Sequence, residues 1–285
     1  MEIKTIGILG CGQMGSGIAE ICAKAGFEVM VVEVNDKALS QGLGKIQKSL
    51  AKAVEKGKMA AEDMEAVLKR ITGSLKNEDL ADCDIVIEAV FEDLDLKRAL
   101  FAELDQLVKP DAILATNTSS ISIAAIAMAT KRGDKVIGMH FFNPVPVMQL
   151  VEYIPSVLTA QATIDTVRWL GEKVGKTGVL AKDTPGFIVN RLLIAYLLDA
   201  IRVYENGLAS REDIDNAMKL GAAHPMGPLT LSDFVGLDVI KNVADVFFEE
   251  YGEARFKAPP LLARMVTAGQ LGRKSGKGFY DYSPK

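Results

Sequence analysis

Apolar residues in the first two thirds of the chain fall into short runs separated by stretches with helical spacing. Ile6, Gly7, Ile8 and Leu9 form one such run, which predicts a buried parallel strand. Ile18, Ile21, Cys22 and Ala25 then recur at helical spacing, and Gly26 stands where a helix C-cap is expected. "FEVMVVEV" predicts a second strand that ends near Glu33. Further along, "CDIVIEAV" and "AILATNTSS" predict strands, separated by the amphipathic helix "DLDLKRALFAELDQLV", which Pro110 stops. "SIAAIAMAT" reads as a helix, "KVIGMHFF" and "VMQLVEYI" as strands, "TAQATIDTVRWLGEKVG" as a helix and "TGVLAKD" as a last strand. Strands alternating with helices predict an α/β fold with a parallel or mostly parallel sheet.

Two segments break the alternation. Residues 36–70 are rich in helix formers and predict a helical insertion. After "KDTPG" the strands cease: residues 187 to about 206 predict one helix closed by Gly207. "SREDIDNAMKL" opens with a capping-box pattern, Ser210-x-x-Asp213, and "SDFVGLDVIKNVADVFFEEYG" and "PPLLARMVTAGQ" complete a helical remainder. The boundary is expected at Asp183–Gly186, which divides the chain into a sheet domain, 1–184, and an all-α domain, 185–285.

Composition narrows the class. Apolar residues make up 49% and charged residues 25%, which suits an ordered globular protein. A net charge of −4 gives no general attraction to nucleic acid or acidic membranes. The longest apolar run, "GFIVNRLLIAYLLDAI", is interrupted by Asn190, Arg191 and Asp199 and is expected to be a buried helix. Cys11, Cys22 and Cys83 form no paired pattern, and the first strand-like residues begin at Ile3, leaving no room for a signal peptide. The expected setting is the cytoplasm, with no metal site.

Gly10-x-Gly12-x-x-Gly15 follows the first strand and opens the first helix. Gly10 permits a tight turn, Gly12 allows close approach of a pyrophosphate and Gly15 lets helix and strand pack together. The helix N-terminus offers N–H groups and a positive dipole end to the same group. The strand before, the helix after and the acid ending the next strand agree on a Rossmann-type dinucleotide site. Glu33 can accept from ribose hydroxyls and would repel a 2′-phosphate, so NAD is expected rather than NADP.

Polar residues at other strand ends are candidates for chemistry: Ser119 and Ser120 after "AILATNT", His140 at the end of "KVIGMH", and Glu152 beyond Pro144-x-Pro146. Asn190 lies one turn into the first helix past the linker. Each has a plain alternative, since His140 can be a packed core residue, Ser119 a helix cap, Glu152 a strand residue and Asn190 a helix polar group. His224, before a proline, is expected to shape a turn. Within 37–58, six lysines face one acid, Glu55, and Lys48, Lys52 and Lys56 share a helical face. That face is either solvated or a docking surface for a polyphosphate. On the residues alone, these questions stay open.

The whole chain resembles the L-3-hydroxyacyl-CoA dehydrogenases, most closely the short bacterial 3-hydroxybutyryl-CoA dehydrogenases. The likeness rests on "GILGCGQMGSGIA", "VIEAVFEDLDLK", "NTSSISI", "GMHFFNPVPVMQLVE", "DTPGFIVNRLL", "AMKLGAAHPMGP" and "LGRKSGKGFYDY", in the family's order. It implies His140 as acid/base, Glu152 as its partner, and Ser119 and Asn190 as substrate contacts. It implies NAD contacts at Gly10, Gly12, Gln13, Met14, Gly15, Glu33, Glu92, Lys97, Ser119, Asn143 and Lys274. Ser49, Lys52 and Lys56 match the coenzyme A contacts, which gives the 36–70 insertion a purpose. The implied substrates are acetoacetyl-CoA and (S)-3-hydroxybutyryl-CoA, and the implied assembly is a homodimer formed largely through the helical domain. Glu33 departs from the family, which commonly has Asp there. Lens crystallins and sugar-acid dehydrogenases share the fold. Retention of Ser119, His140, Glu152 and Asn190 weighs against a purely structural role, and the basic segment weighs against a free acid as substrate.

Overall fold

The computed structural model describes residues 3–283. The chain divides into two compact units, one running to Phe187 and the other starting at Ile188.

The first unit follows the order β1 (Thr5–Leu9), α1 (Gln13–Lys24), β2 (Glu28–Val32), α2 (Asp36–Glu55), α3 (Ala61–Lys69), β3 (Ile71–Ser74), β4 (Ile85–Glu88) and α4 (Leu94–Leu107). It continues through β5 (Ile113–Thr116), α5 (Ile123–Ala127), β6 (Val136–Phe141), β7 (Leu150–Pro155), α6 (Gln161–Lys173) and β8 (Thr177–Leu180). The strands form one sheet in the order β3-β2-β1-β4-β5-β6-β7-β8, parallel throughout except between β6 and β7. The strand order reverses between β1 and β4, which opens the crevice where ligands bind in sheets of this type.

Alternation along the strands serves two cores. Ile6, Ile8, Ile85 and Ile87 pack with Ile18, Ile21, Ile46 and Leu50 on one face. Leu9, Val86, Leu114 and Ile154 pack with Phe101, Leu104 and Ile126 on the other. The starts of α2 and α4 carry side-chain caps: Asn35 accepts from Ala38 N at 2.9 Å, and Asp93 accepts from Leu96 N at 2.8 Å.

The second unit is helical, with α7 (Val189–Glu205), α8 (Arg211–Gly221), α9 (Pro228–Val235), α10 (Leu237–Tyr251) and α11 (Pro260–Thr267). Leu197, Ile201, Leu229, Ile240 and Phe247 form its core. Ser210 caps α8 through Asp213 N at 3.1 Å, as the capping-box pattern predicts, and the Ser210 hydroxyl also donates to Asp213 Oδ2 at 2.7 Å.

Several elements differ from the pattern. The apolar pattern does not predict β3, because "ITGS" has a single large apolar residue; it is an edge strand, held to β2 by its backbone. "SDFVGLDVIKNVADVFFEEYG" is two helices rather than one continuous element, because Gly236 takes a φ of 104° between α9 and α10. The helix in "SIAAIAMAT" is only one turn and a half, Ile123–Ala127. His224 keeps to expectation: it lies in the connection between α8 and α9, after Ala223, whose φ is 56°, and its Nδ1 lies 3.0 Å from Tyr196 Oη.

Tyr153 on β7 is fully buried between two glycines. A Cβ at Gly178 would lie 2.0 Å from the Tyr153 ring, and one at Gly171 would lie 1.7 Å from its hydroxyl. The ring therefore has no room to yield on either side. Gly178→Ala is expected to destabilise the protein by about 1–3 kcal/mol, the usual scale of overpacking. Urea denaturation should show a lower midpoint at unchanged slope; an unshifted midpoint would contradict the packing described.

Candidate active site

His140 is the fifth residue of β6, and the antiparallel register places it directly opposite Glu152 on β7. Directly paired residues project to the same face of a sheet, about 4.5–5.5 Å apart at Cβ. The side chains meet: His140 Nδ1 lies 2.7 Å from Glu152 Oε2, with 7% of the imidazole and none of the carboxylate exposed. Edge-on contacts with Phe142, at 4.6 Å between centroids, and Phe187, at 5.5 Å, fix the ring from the sides. The carboxylate can only accept, so Nδ1 carries the hydrogen and the neutral ring keeps its lone pair on Nε2.

Neighbouring strand ends supply the rest. Ser119 lies in the turn after β5, the strand beside β6. Phe141 N donates to Asn117 Oδ1 at 2.9 Å, which ties that turn to the end of the histidine strand. Glu92 gathers the turn from the other side, accepting from Thr118 Oγ1, from Ser119 N at 2.9 Å and from Ser120 N at 3.2 Å. Burial by itself would raise the Glu92 carboxyl. Lys97 and these hydrogen bonds outweigh it and hold the group below the ordinary glutamate value. Asp183 accepts from Ile123 N and Ala124 N, both at 2.8 Å, and so fixes the start of α5 just beyond the same turn.

The ammonium of Lys97 turns inward. It lies 2.6 Å from Glu88 Oε1 and 3.5 Å from Glu92 Oε2, and it is 1% exposed. Glu88, fully buried at the end of β4, also accepts from Thr116 Oγ1 and Val90 N, both at 2.7 Å. Glu88, Thr116, Thr118, Asn117 and Asp183 were not singled out from sequence. The signal for Glu88 is a charged residue closing the apolar run "IVIE", nine positions before Lys97. Buried charges of this kind need partners.

A cavity of about 670 Å³ opens at the strand-order reversal, lined by Gly10, Gly12, Gln13, Met14, Glu33, Val34, Lys76, Val90 and Phe91, among others. Each glycine of the loop has its own reason. Gly10 has a φ of 93°, a Cβ at Gly15 would fall 1.8 Å from Gly10 O, and a Cβ at Gly12 would meet no atom of the chain within 4 Å. Open space at Gly12, at the uncapped N-terminus of α1, fits a phosphate group approaching the backbone. Glu33, one residue past β2, accepts from Cys11 N at 2.6 Å and from Val34 N at 3.0 Å. These bonds hold the carboxylate at the cavity with acceptor capacity remaining for ribose hydroxyls. The donor set therefore fits a dinucleotide. The Cys11 thiol beside the loop is pushed up to about 12, first by burial and then by Glu33, and is no nucleophile.

A second cavity, about 830 Å³, lies between α2, α3 and the Pro146–Val147 turn. Ser49, Lys52 and Lys56 line it together, whereas Lys48 does not. Lys24, Lys58 and Arg70 join them, so five cations face two acids, Glu20 and Asp63. Lys24 and Arg70 come from separate elements, which is why the α2 pattern alone does not reveal them. Asn143 stands in the turn after β6 and accepts from Gln13 Nε2 at 3.0 Å, which links the turn to the glycine loop's helix.

Asn190 and Lys274 belong to the second unit. Asn190 lies on the first turn of α7. Lys274 is exposed and donates to Asp238 Oδ2 at 2.6 Å. Among the described residues, no cluster of three or more His, Cys, Asp or Glu side chains is arranged for a metal ion, and no helix is long and apolar enough to cross a membrane.

Comparisons with known proteins agree with this geometry over both units. Residues 5–184 match the NAD binding domain of 3-hydroxyacyl-CoA dehydrogenase, and residues 186–282 match its C-terminal domain. A 3-hydroxybutyryl-CoA dehydrogenase of Mycobacterium tuberculosis is 50% identical over 282 residues, covering 98% of this chain and 99% of that protein. One from Clostridioides difficile is 48% identical over 278 residues, with 98% and 99% covered. The crystal structure of (S)-3-hydroxybutyryl-CoA dehydrogenase from Ralstonia eutropha superposes with a TM-score of 0.96 at 44% identity, covering 99% of this chain and 100% of that one. Matched from its glycine loop to its C-terminal helices, the chain belongs to the 3-hydroxyacyl-CoA dehydrogenase family.

Proposed function

We propose that this protein interconverts (S)-3-hydroxybutyryl-CoA and acetoacetyl-CoA with NAD as redox partner. The relatives compared above bear the corresponding name. The observation that carries the reading is the 2.7 Å contact between buried His140 and Glu152 at a strand end. In oxidation, neutral His140 takes the proton of the C3 hydroxyl on Nε2; in reduction, the imidazolium returns it to the carbonyl oxygen. Glu152 holds the ring in the tautomer that leaves Nε2 able to accept, and it stabilises the cation once formed. Ser119 and Asn190 position the substrate's oxygens. Bound NAD supplies the acceptor or donor of hydride.

Gly10, Gly12, Gln13, Met14 and Gly15 hold the cofactor's pyrophosphate and Glu33 its ribose. Glu92, Ser119, Asn143 and Lys274 complete the cofactor contacts, with Lys97 behind them. Lys97 acts here through Glu92, because its ammonium is enclosed by Glu88. Ser49, Lys52 and Lys56 hold the phosphates of coenzyme A, and the surplus of positive charge in the 830 Å³ cavity supports that assignment. Residues 1–184 form the cofactor-binding domain, and 185–285 form the helical domain through which two copies pair into a homodimer. The enzyme works in the cytoplasm.

Acetoacetyl-CoA reduction followed with NADH and NADPH tests the reaction and the cofactor together. NADH is expected to give the higher kcat/KM, because a 2′-phosphate would face Glu33; equal efficiencies would remove the reason for preferring NAD. Neutralising Lys52 and Lys56 together should raise the KM for acetoacetyl-CoA, flatten its salt dependence and leave NADH binding nearly unchanged. If KM and its salt response both stay put, the lysines are a solvated face only.

His140→Gln should slow the chemical step by about 10²–10⁴-fold while NADH still binds. Reduction uses the protonated ring and oxidation the neutral one. In the parent enzyme, therefore, reduction should slow and oxidation quicken as pH rises. A near-normal single-turnover rate in His140→Gln would assign the proton transfer to another group.

A further inference from the structure

Lys176 immediately precedes β8, and its side chain runs inward rather than to solvent; the residue is 8% exposed. Its ammonium donates to two backbone carbonyls, Val145 O at 2.5 Å and Met148 O at 2.6 Å. Among the described residues, no carboxylate pairs with it. Burial, and then the like charge of Lys24, holds the ammonium below the ordinary lysine value. A cation buried against carbonyls alone is costly, so its place calls for a specific use.

Both carbonyls belong to the connection between β6 and β7, residues 142–149. That connection is also tied elsewhere. Val147 N and Met148 N donate to Pro144 O at 2.9 and 3.0 Å, and Thr177 N donates to Gln149 O at 2.8 Å. Val145 is buried against α1, where a Cβ at Gly17 would lie 2.7 Å from Val145 Cβ. One end of the turn carries Asn143, bonded to Gln13 at the start of α1. The other carries Pro146 and Val147, which form part of the wall of the basic 830 Å³ cavity. A third, smaller cavity of about 200 Å³ is lined by Gln13, Lys45, Ser49, Asn143 and Pro146, so the two regions adjoin along this turn.

We propose that Lys176 is a positioning residue that pins the Asn143–Met148 turn, so that one buried ammonium sets the shape of both the cofactor side and the coenzyme A side of the site. The inference rests on the assignment of those two sides made under the proposed function. His140 and Glu152 are held by the strand ladder itself, and they do not depend on the lysine for their pairing. Loss of the ammonium therefore loosens binding more than it slows proton transfer.

The test is steady-state and single-turnover kinetics of Lys176→Met and Lys176→Arg with acetoacetyl-CoA and NADH. Lys176→Met is expected to raise both KM values about tenfold, the scale of one charge-assisted hydrogen bond, with a single-turnover rate at saturation close to the parent's. Lys176→Arg, which keeps the charge and the donors, should recover part of the loss. Unchanged KM values in a protein of lowered thermal stability would make the lysine a structural prop and overturn the proposal. So would a fall confined to the single-turnover rate. Amide exchange in the parent enzyme provides a measurement independent of whether the variants fold. Val147 and Met148 N–H should be protected, and exchange at the rate of an unstructured loop would overturn the pinning. If the parent fails to reduce acetoacetyl-CoA, the functional reading falls. The NADH dissociation constant of Lys176→Met still decides the proposal, which an unchanged value would overturn.

Discussion

The site depends on a single antiparallel pairing in an otherwise parallel sheet. The connection between β6 and β7, residues 142–149, is shorter than the dozen or so residues that a parallel crossover needs, so the chain turns straight back. The register of that return puts His140 opposite Glu152, and a slip of one residue would turn the two side chains to opposite faces. Hydrophobic residues at alternate positions, among them Met139, Val151 and Tyr153, lock the register into the core. The 2.7 Å contact is thus a property of sheet pairing as much as of the two side chains.

Around the pair, buried charge ties together the turns at the strand ends. Glu88 and Lys97 enclose each other at the end of β4, and Lys97 also faces Glu92, which collects the donors of the 118–120 turn. Such a network contributes little net stability, because desolvation offsets most of the attraction. What it contributes is a defined geometry, since each member is costly to leave unpaired. Asn117 and Asp183 extend the same function to the strand and helix on either side.

Lys176 follows the same logic with carbonyls in place of carboxylates. The turn it contacts bears on the glycine-loop helix through Gln13 and Asn143, and on the basic cavity through Pro146 and Val147. The turn thus forms a boundary between the glycine loop's helix and the basic cavity, and the buried ammonium fixes that boundary from within.

The periodicity of apolar residues by itself determined the alternating sheet unit and the helical remainder, because strand and helix bury their faces at different intervals. The glycine spacing, with strand before and helix after, determined the dinucleotide loop, since the three positions meet separate steric demands. His140 and Glu152 were visible as candidates, but from residues alone each was equally a packed side chain. Only the strand register showed that they touch. Tertiary structure also decided the inward turn of Lys97 and the burial of Glu88. It brought Lys24 and Arg70 to the cavity wall beside Lys52 and Lys56, and it revealed β3, whose short polar sequence is held by its neighbour's backbone. These features join residues distant in sequence, and no local period records a partner that lies on another element.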